Sequence, residues 1–218
     1  MLVARIERRG MIVRRIHRWS VVFCAATLLV AAVNVVSPVH VQAVTTISQV
    51  GADIDGEAAG DWSGWSVAMS GDGLRIAIGA KWNVGTASDA GHVRVYTLIN
   101  GTWSKTGVDI DGEAAGDQAG SSVAMSGDGS RIAIGAFGND GSGIDAGHVR
   151  VYTLISGTWT QTGSDIDGER AGDYSGRSVA MSGDGSHIAI GAYGNDGSGI
   201  DAGHVRVYTL ISGTWTQT

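Results

Sequence analysis

From Gly51 to Thr218 the chain repeats itself at a fixed offset of 56 residues, with no insertion or deletion. GADIDGEAAGD (Gly51 to Asp61), GVDIDGEAAGD (Gly107 to Asp117) and GSDIDGERAGD (Gly163 to Asp173) open units spanning 51–106, 107–162 and 163–218. A period of this length describes one supersecondary module that cannot bury its apolar face alone and does so against its neighbours. The second and third units differ at seven of 56 positions, mostly in the opening loop: Ala114/Arg170, Gln118/Tyr174, Ala119/Ser175, Ser121/Arg177. These side chains are expected to face solvent, because the rest of the unit must fit its neighbours.

Each unit reads as four short strands. Ser66 to Ser70 alternates small and large apolar residues, and Gly-Asp-Gly turns it into Arg75 to Ala80, whose Ile76 and Ile78 share a face. After a glycine-rich loop, His92 to Ile99 places Val93, Val95 and Ile99 on one face and His92, Arg94 and Tyr96 on the other. Asn100-Gly101, Ser-Gly in the later units, then turns the chain into a fourth strand through Trp103. No 3.6-residue period is sustained. Gly, Ala and Ser on the inner strands suit sheets packed face to face, so the expected fold is all-β, with repeated four-stranded antiparallel blades of a β-propeller. Thr46 to Gly51 resembles Thr158 to Gly163, a spare copy of the fourth strand that brings the total to about thirteen strands. Rings typically hold about 4 to 8 blades. Three units therefore predict a partial propeller, a ring completed by another copy, or an open stack with exposed edges.

The first 43 residues differ in kind. They carry six of the fifteen Lys and Arg and only one acid, Glu7. Arg14, Arg15 and Arg18 precede an apolar run from Val21 to Val36, Pro38 breaks it, and Val41-Gln42-Ala43 offers a cleavage site. That is the layout of a secretory signal over 1–43, leaving 44–218 as the repeat domain, secreted or at the cell surface. Sixteen apolar residues fall short of the roughly 20 that span a bilayer, so membrane attachment is expected only if this segment is retained. From Val44 onward nine basic residues face twenty acidic ones, a formal −11 that repels phosphate backbones and excludes nucleic acid as a partner. The single cysteine, Cys24, lies in the apolar run, so no disulfide can form within the chain.

Carboxylates recur at loop positions 1, 3, 5 and 9 of each unit: Asp53, Asp55, Glu57 and Asp61; Asp109, Asp111, Glu113 and Asp117; Asp165, Asp167, Glu169 and Asp173. That spacing could wrap oxygen ligands around a hard cation such as Ca²⁺, although Asp-Gly is also ordinary turn chemistry. A second acidic loop, Asn139 to Asp145, recurs at Asn195 to Asp201 and reads as a solvated loop. His92, His148 and His204 recur once per unit, each two residues before an Arg, and are expected to belong to the scaffold. Trp103, Trp159 and Trp215 are expected to pack blade against blade; sugar stacking is their alternative role. There is no Gly-x-Ser-x-Gly elbow, cysteine nucleophile, His-Glu-x-x-His or phosphate-cradling loop, so an enzyme is not expected.

Ala115 to Phe137 resembles the FG-GAP repeat of integrin-α-type propellers, in its exported bacterial variant. Ser63-Gly64, Ala119-Gly120 and Ser175-Gly176 stand where Phe-Gly would be, and Ile78 to Ala80, Ile134 to Ala136 and Ile190 to Ala192 stand where Gly-Ala-Pro ends the second strand. The family's calcium loop between these strands does not carry over, since only the turn Ser70 to Gly73 is present there. The resemblance implies a propeller with an adhesion or ligand-binding role toward a protein or glycan. The competing expectation is a self-assembling array of the envelope or matrix.

Overall fold

The computed structural model describes residues 47–218; the signal-like segment lies outside them. Among the described residues every regular element is a strand. The first unit contributes β1 (Ser66–Met69), β2 (Arg75–Ala80), β3 (His92–Ile99) and β4 (Thr102–Lys105). A two-residue β5 (Ile110–Asp111) follows, then β6 (Ser122–Met125), β7 (Arg131–Ala136), β8 (His148–Ile155), β9 (Thr158–Gln161) and β10 (Ile166–Asp167). The third unit adds β11 (Ser178–Met181), β12 (His187–Ala192), β13 (His204–Ile211) and β14 (Thr214–Gln217). Three antiparallel four-stranded meanders result, as the alternation and turns predicted. They are the blades of a partial β-propeller.

Two details depart from expectation. β5 pairs with His92 and Val93 of β3, and β10 with His148 and Val149 of β8, so the outer edge of a blade is finished by the first residues of the next repeat. Gly107, at φ +80°, lets the chain step around between β4 and β5. Conversely, Ile47 to Val50 forms no strand, and Ile47 is fully open to solvent. The carbonyl of Val50 nonetheless accepts the Nε1–H of Trp103 at 3.0 Å, as Thr106 does from Trp159 and Thr162 from Trp215.

The core lies between blades rather than within them. Val93 and Val95 of the first blade meet Val123, Met125, Ile132 and Ile134 of the second, with Trp159 in the same cluster. Val149 and Val151 repeat the arrangement against Ile188 and Ile190, closed by Trp215. Trp159 and Trp215 thus join blade to blade, whereas Trp103 meets the segment at Val50 and Gly51. Ile99, expected with the valines, is exposed at the strand end, while His92 and Arg94 on the opposite face are buried. Polar bonds follow the same period: Ser66 Oγ donates to Gly120 O and Ser122 Oγ to Gly176 O, each at 2.7 Å. The approach is so close that a Cβ on Gly135 would meet Gly176 O at 2.0 Å. The glycine of Ile-Gly-Ala in one repeat therefore seats the glycine that follows position 119 or 175 in the next.

Candidate functional site

Where near-identical repeats diverge, the scaffold has not dictated the residue. Four such columns gather on one loop face: Trp62/Gln118/Tyr174, Trp65/Ser121/Arg177, Lys81/Phe137/Tyr193 and Trp82/Gly138/Gly194. The first column is held in the left-handed region, at φ 54°, 56° and 53°. Bulky side chains rarely occupy that region, and such strain gathers at functional positions. A bulky residue there is turned outward, and Trp62 is 56% exposed.

In the first unit Trp62 and Trp65 stack with centroids 5.6 Å apart, and Trp82 meets Trp62 edge-on at 6.1 Å. Lys81 Nζ lies 3.5 Å from the centroid of Trp65 and 5.0 Å from that of Trp82, so the ammonium sits among three indoles. Its pKa is lowered, chiefly by burial and then by the charge of Arg177 from the third unit. Arg177 in turn lies 5.2 Å over Phe137, Phe137 packs on Tyr174, and Tyr174 stacks on Tyr193 at 5.1 Å. Divergent residues of all three units thus form one aromatic and cationic surface. A cavity of about 430 Å³ opens beside Trp62 and Trp82, lined also by Asp61, Val84 and Asp89. Not every divergent position is outside: Ala119 and Ser175 are fully buried where they bridge to Gly91 and Gly147 of the preceding blade, and Ser121 is nearly so, its hydroxyl donating to Gly135 O of its own blade. The expectation that all four loop differences face solvent is corrected there.

The candidate carboxylates of each loop have different hydrogen-bond partners. Asp61 Oδ2 accepts from Ala58 N and Asn83 Nδ2, Asp117 from Glu113 N and Ala114 N, and Asp173 from Glu169 N, Arg170 N and Asn195 Nδ2, all at 2.9–3.1 Å. These buried acids cap their own loops. Asp53 accepts from Gln49, Asp109 pairs with Lys105, and Asp165 accepts from Gln161. Asp55, Asp111 and Asp167 lend backbone carbonyls to Arg94, Arg150 and Arg206. What the fold does bring together crosses the repeat boundary: Glu57 with Asp109 about His92, and Glu113 with Asp165 about His148. Asp140 and Asp196 close the second acidic loop by accepting from Asp145 N and Asp201 N at 2.8 Å.

Repeated four-stranded blades stacked face to face, joined by paired glycines and carrying a divergent loop face, define a propeller-type binding module. Residues 53–96 and 164–208 match the FG-GAP repeat. No curated protein matches it. Among solved structures it is similar to a putative 6-phosphogluconolactonase from Bacteroides uniformis (13% identity, TM-score 0.46, covering 70% of this chain and 39% of that one). It is also similar to hydrazine synthase of Kuenenia stuttgartiensis (14% identity, TM-score 0.45, 78% and 38%). A third is Sqt1 of Saccharomyces cerevisiae (13% identity, TM-score 0.46, 73% and 35%). The chain spans about two fifths or less of the length of these structures.

Proposed function

We propose that the chain is an exported, non-enzymatic adhesion module, secreted or at the cell surface, whose ligand docks on the divergent aromatic face. The observation that carries this reading is that repeats otherwise nearly identical place Trp62, Trp65, Trp82, Tyr174 and Tyr193 on one surface, the first column in a strained backbone conformation. Flat aromatic faces beside the exposed Arg177 suit the apolar face of a sugar ring bearing acidic groups, with an acidic protein segment as the other candidate. Glycan-array binding of the full chain, beside Trp62→Ala and Tyr174→Ala, tests it. Loss of a discrete glycan signal in both variants is expected; wild-type binding in both would move the ligand elsewhere.

A second reading, self-assembly, has its own support. The face that packs against the preceding blade in units two and three is open in unit one at Val67 and Met69, and the facing surface is open in unit three at Val205 and Val207. The two surfaces are chemically the partners already seen at both internal junctions, and joining them between copies would be a heterologous contact. Light scattering on the full chain separates the readings: a discrete dimer fits ring completion, growing oligomers fit an array, and a monomer removes both.

A further inference from the structure

The histidines that recur once per unit take no part in the aromatic face. His92 is 2% and His148 1% exposed. His92 Nδ1 faces Glu57 Oε2 at 3.9 Å, and His148 Nδ1 faces Glu113 Oε2 at 4.0 Å and Asp165 Oδ2 at 3.8 Å. These distances exceed hydrogen-bond length, and Nε2 of both rings is buried with no partner. A buried polar ring left unbonded and aimed at two carboxylates calls for an explanation. Burial lowers the pKa of both rings.

We propose that each junction between successive blades binds a divalent ion of the zinc class, held by Glu57, His92 and Asp109 at the first and by Glu113, His148 and Asp165 at the second. At each junction one oxygen or nitrogen from every member lies within 4.8 Å of the others. Tetrahedral Zn²⁺ sets its ligand atoms about 3.3 Å apart, so closure by about half an ångström at the shortest pair and by at most about 1.5 Å at the widest completes three ligands and leaves the fourth to water. The carboxylates that must move are the more accessible members, Glu113 exposed at 45% and Asp165 half-buried at 32%. Arg150 Nη1 holds Glu113 Oε1 at 3.2 Å and leaves Oε2 toward the ring, and Arg94 holds Glu57 likewise at 3.3 Å. A nitrogen with two carboxylates suits a transition ion, whereas Ca²⁺ takes six to eight oxygens. Without an acceptor on Nε2 the affinity falls about 10–100-fold short of a fully supported site.

The two junctions differ in one useful respect. Lys105 Nζ sits on Asp109 Oδ1 at 2.8 Å, while the neutral Gln161 takes the equivalent place on Asp165. The second junction is therefore the stronger site, and Lys105→Gln should tighten the first about tenfold. Calorimetric titration of the full chain with Zn²⁺, with Co²⁺ absorption as a probe of nitrogen-bearing low-coordinate geometry, reads both. Cys24 and His17 also lie in the chain, so the readout is the difference from Asp109→Asn/Asp165→Asn. Expected are two Zn²⁺ ions lost in the double variant, a more than tenfold weakening of the tighter one in Asp165→Asn alone, and no heat with Ca²⁺. Equal Zn²⁺ uptake by wild type and a folded double variant, or no gain from Lys105→Gln at a site that does bind, overturns the proposal.

Discussion

Val149 and Val151 in the second unit are sealed, 0% and 1% exposed, whereas the identical Val205 and Val207 in the third stand 67% and 39% open. At the other end, Val67 and Met69 of the first unit are 60% and 53% exposed, against 9% and 8% for Val123 and Met125 of the second. Sequence cannot explain a difference between copies of the same strand. A blade here does not own a core; it owns two half-cores that its neighbours complete, as in a one-dimensional array with nearest-neighbour terms. The same substitution should then have a different effect in each unit.

The largest contrast is expected at the paired glycines. A Cβ on Gly135 would strike the backbone oxygen of Gly176, but on Gly191 it meets only the rotatable hydroxyl of Ser178. Gly135→Ala should destabilise by about 3 kcal/mol and Gly191→Ala by under about 1, read from urea midpoints. Similar losses would mean the third unit is as closed as the second. Next comes Val149→Ala at about 2 kcal/mol beside Val205→Ala within about 0.5. An equal effect at both would point to a partner covering the open face.

Smaller still is Trp159→Phe against Trp103→Phe. Trp159 is buried and bonds Thr106 O within a closed junction, while Trp103 bonds the exposed segment at Val50. About 1 kcal/mol is expected for the first and a few tenths for the second, by the same denaturation assay. The smallest effect is one of pH. His92 and His148 are lowered below 6.5 by burial between blades, so the unfolded chain binds their protons more readily. Stability is whole above pH 6.5 and falls as pH drops from there toward the folded-state pKa, and His148→Gln should flatten that fall in melting curves between pH 7 and 5. A fall unchanged in the variant would assign it to other groups. Asp128, held at about 2 by its bonds to Ser126 and Ser130, adds stability that is whole above its ordinary value of 3.8 and is lost only as pH falls from there toward about 2.

Much of the fold could be read from residues alone. Alternation placed β1 to β4, Ser-Gly-Asp-Gly and Asn-Gly placed the hairpins, and the period placed the copies. β5 and β10 escaped because two residues carry no periodicity, and their pairing joins one repeat to the next. Alternation sets His92 and Arg94 on the face opposite Val93 and Val95 without saying which face is covered; only a stack buries both. The acids were grouped by closeness in sequence, which joined Glu57 to Asp61, whereas the stack joins it to Asp109 of the following unit. The aromatic face did leave a signal. Reading the repeats column by column isolates Trp62, Trp65 and Lys81, at positions where all three units differ, and Trp82, where the other two units carry glycine.

Scaffold and recognition surface should therefore be separable. The most direct test gives the first unit the second unit's residues at the four divergent columns: Trp62→Gln, Trp65→Ser, Lys81→Phe and Trp82→Gly in one chain, followed by thermal unfolding and glycan-array binding. The account predicts a melting temperature within about 4 °C of the wild type, with the glycan signal lost. A fall of more than about 10 °C would contradict it, because those aromatic residues would then belong to the core.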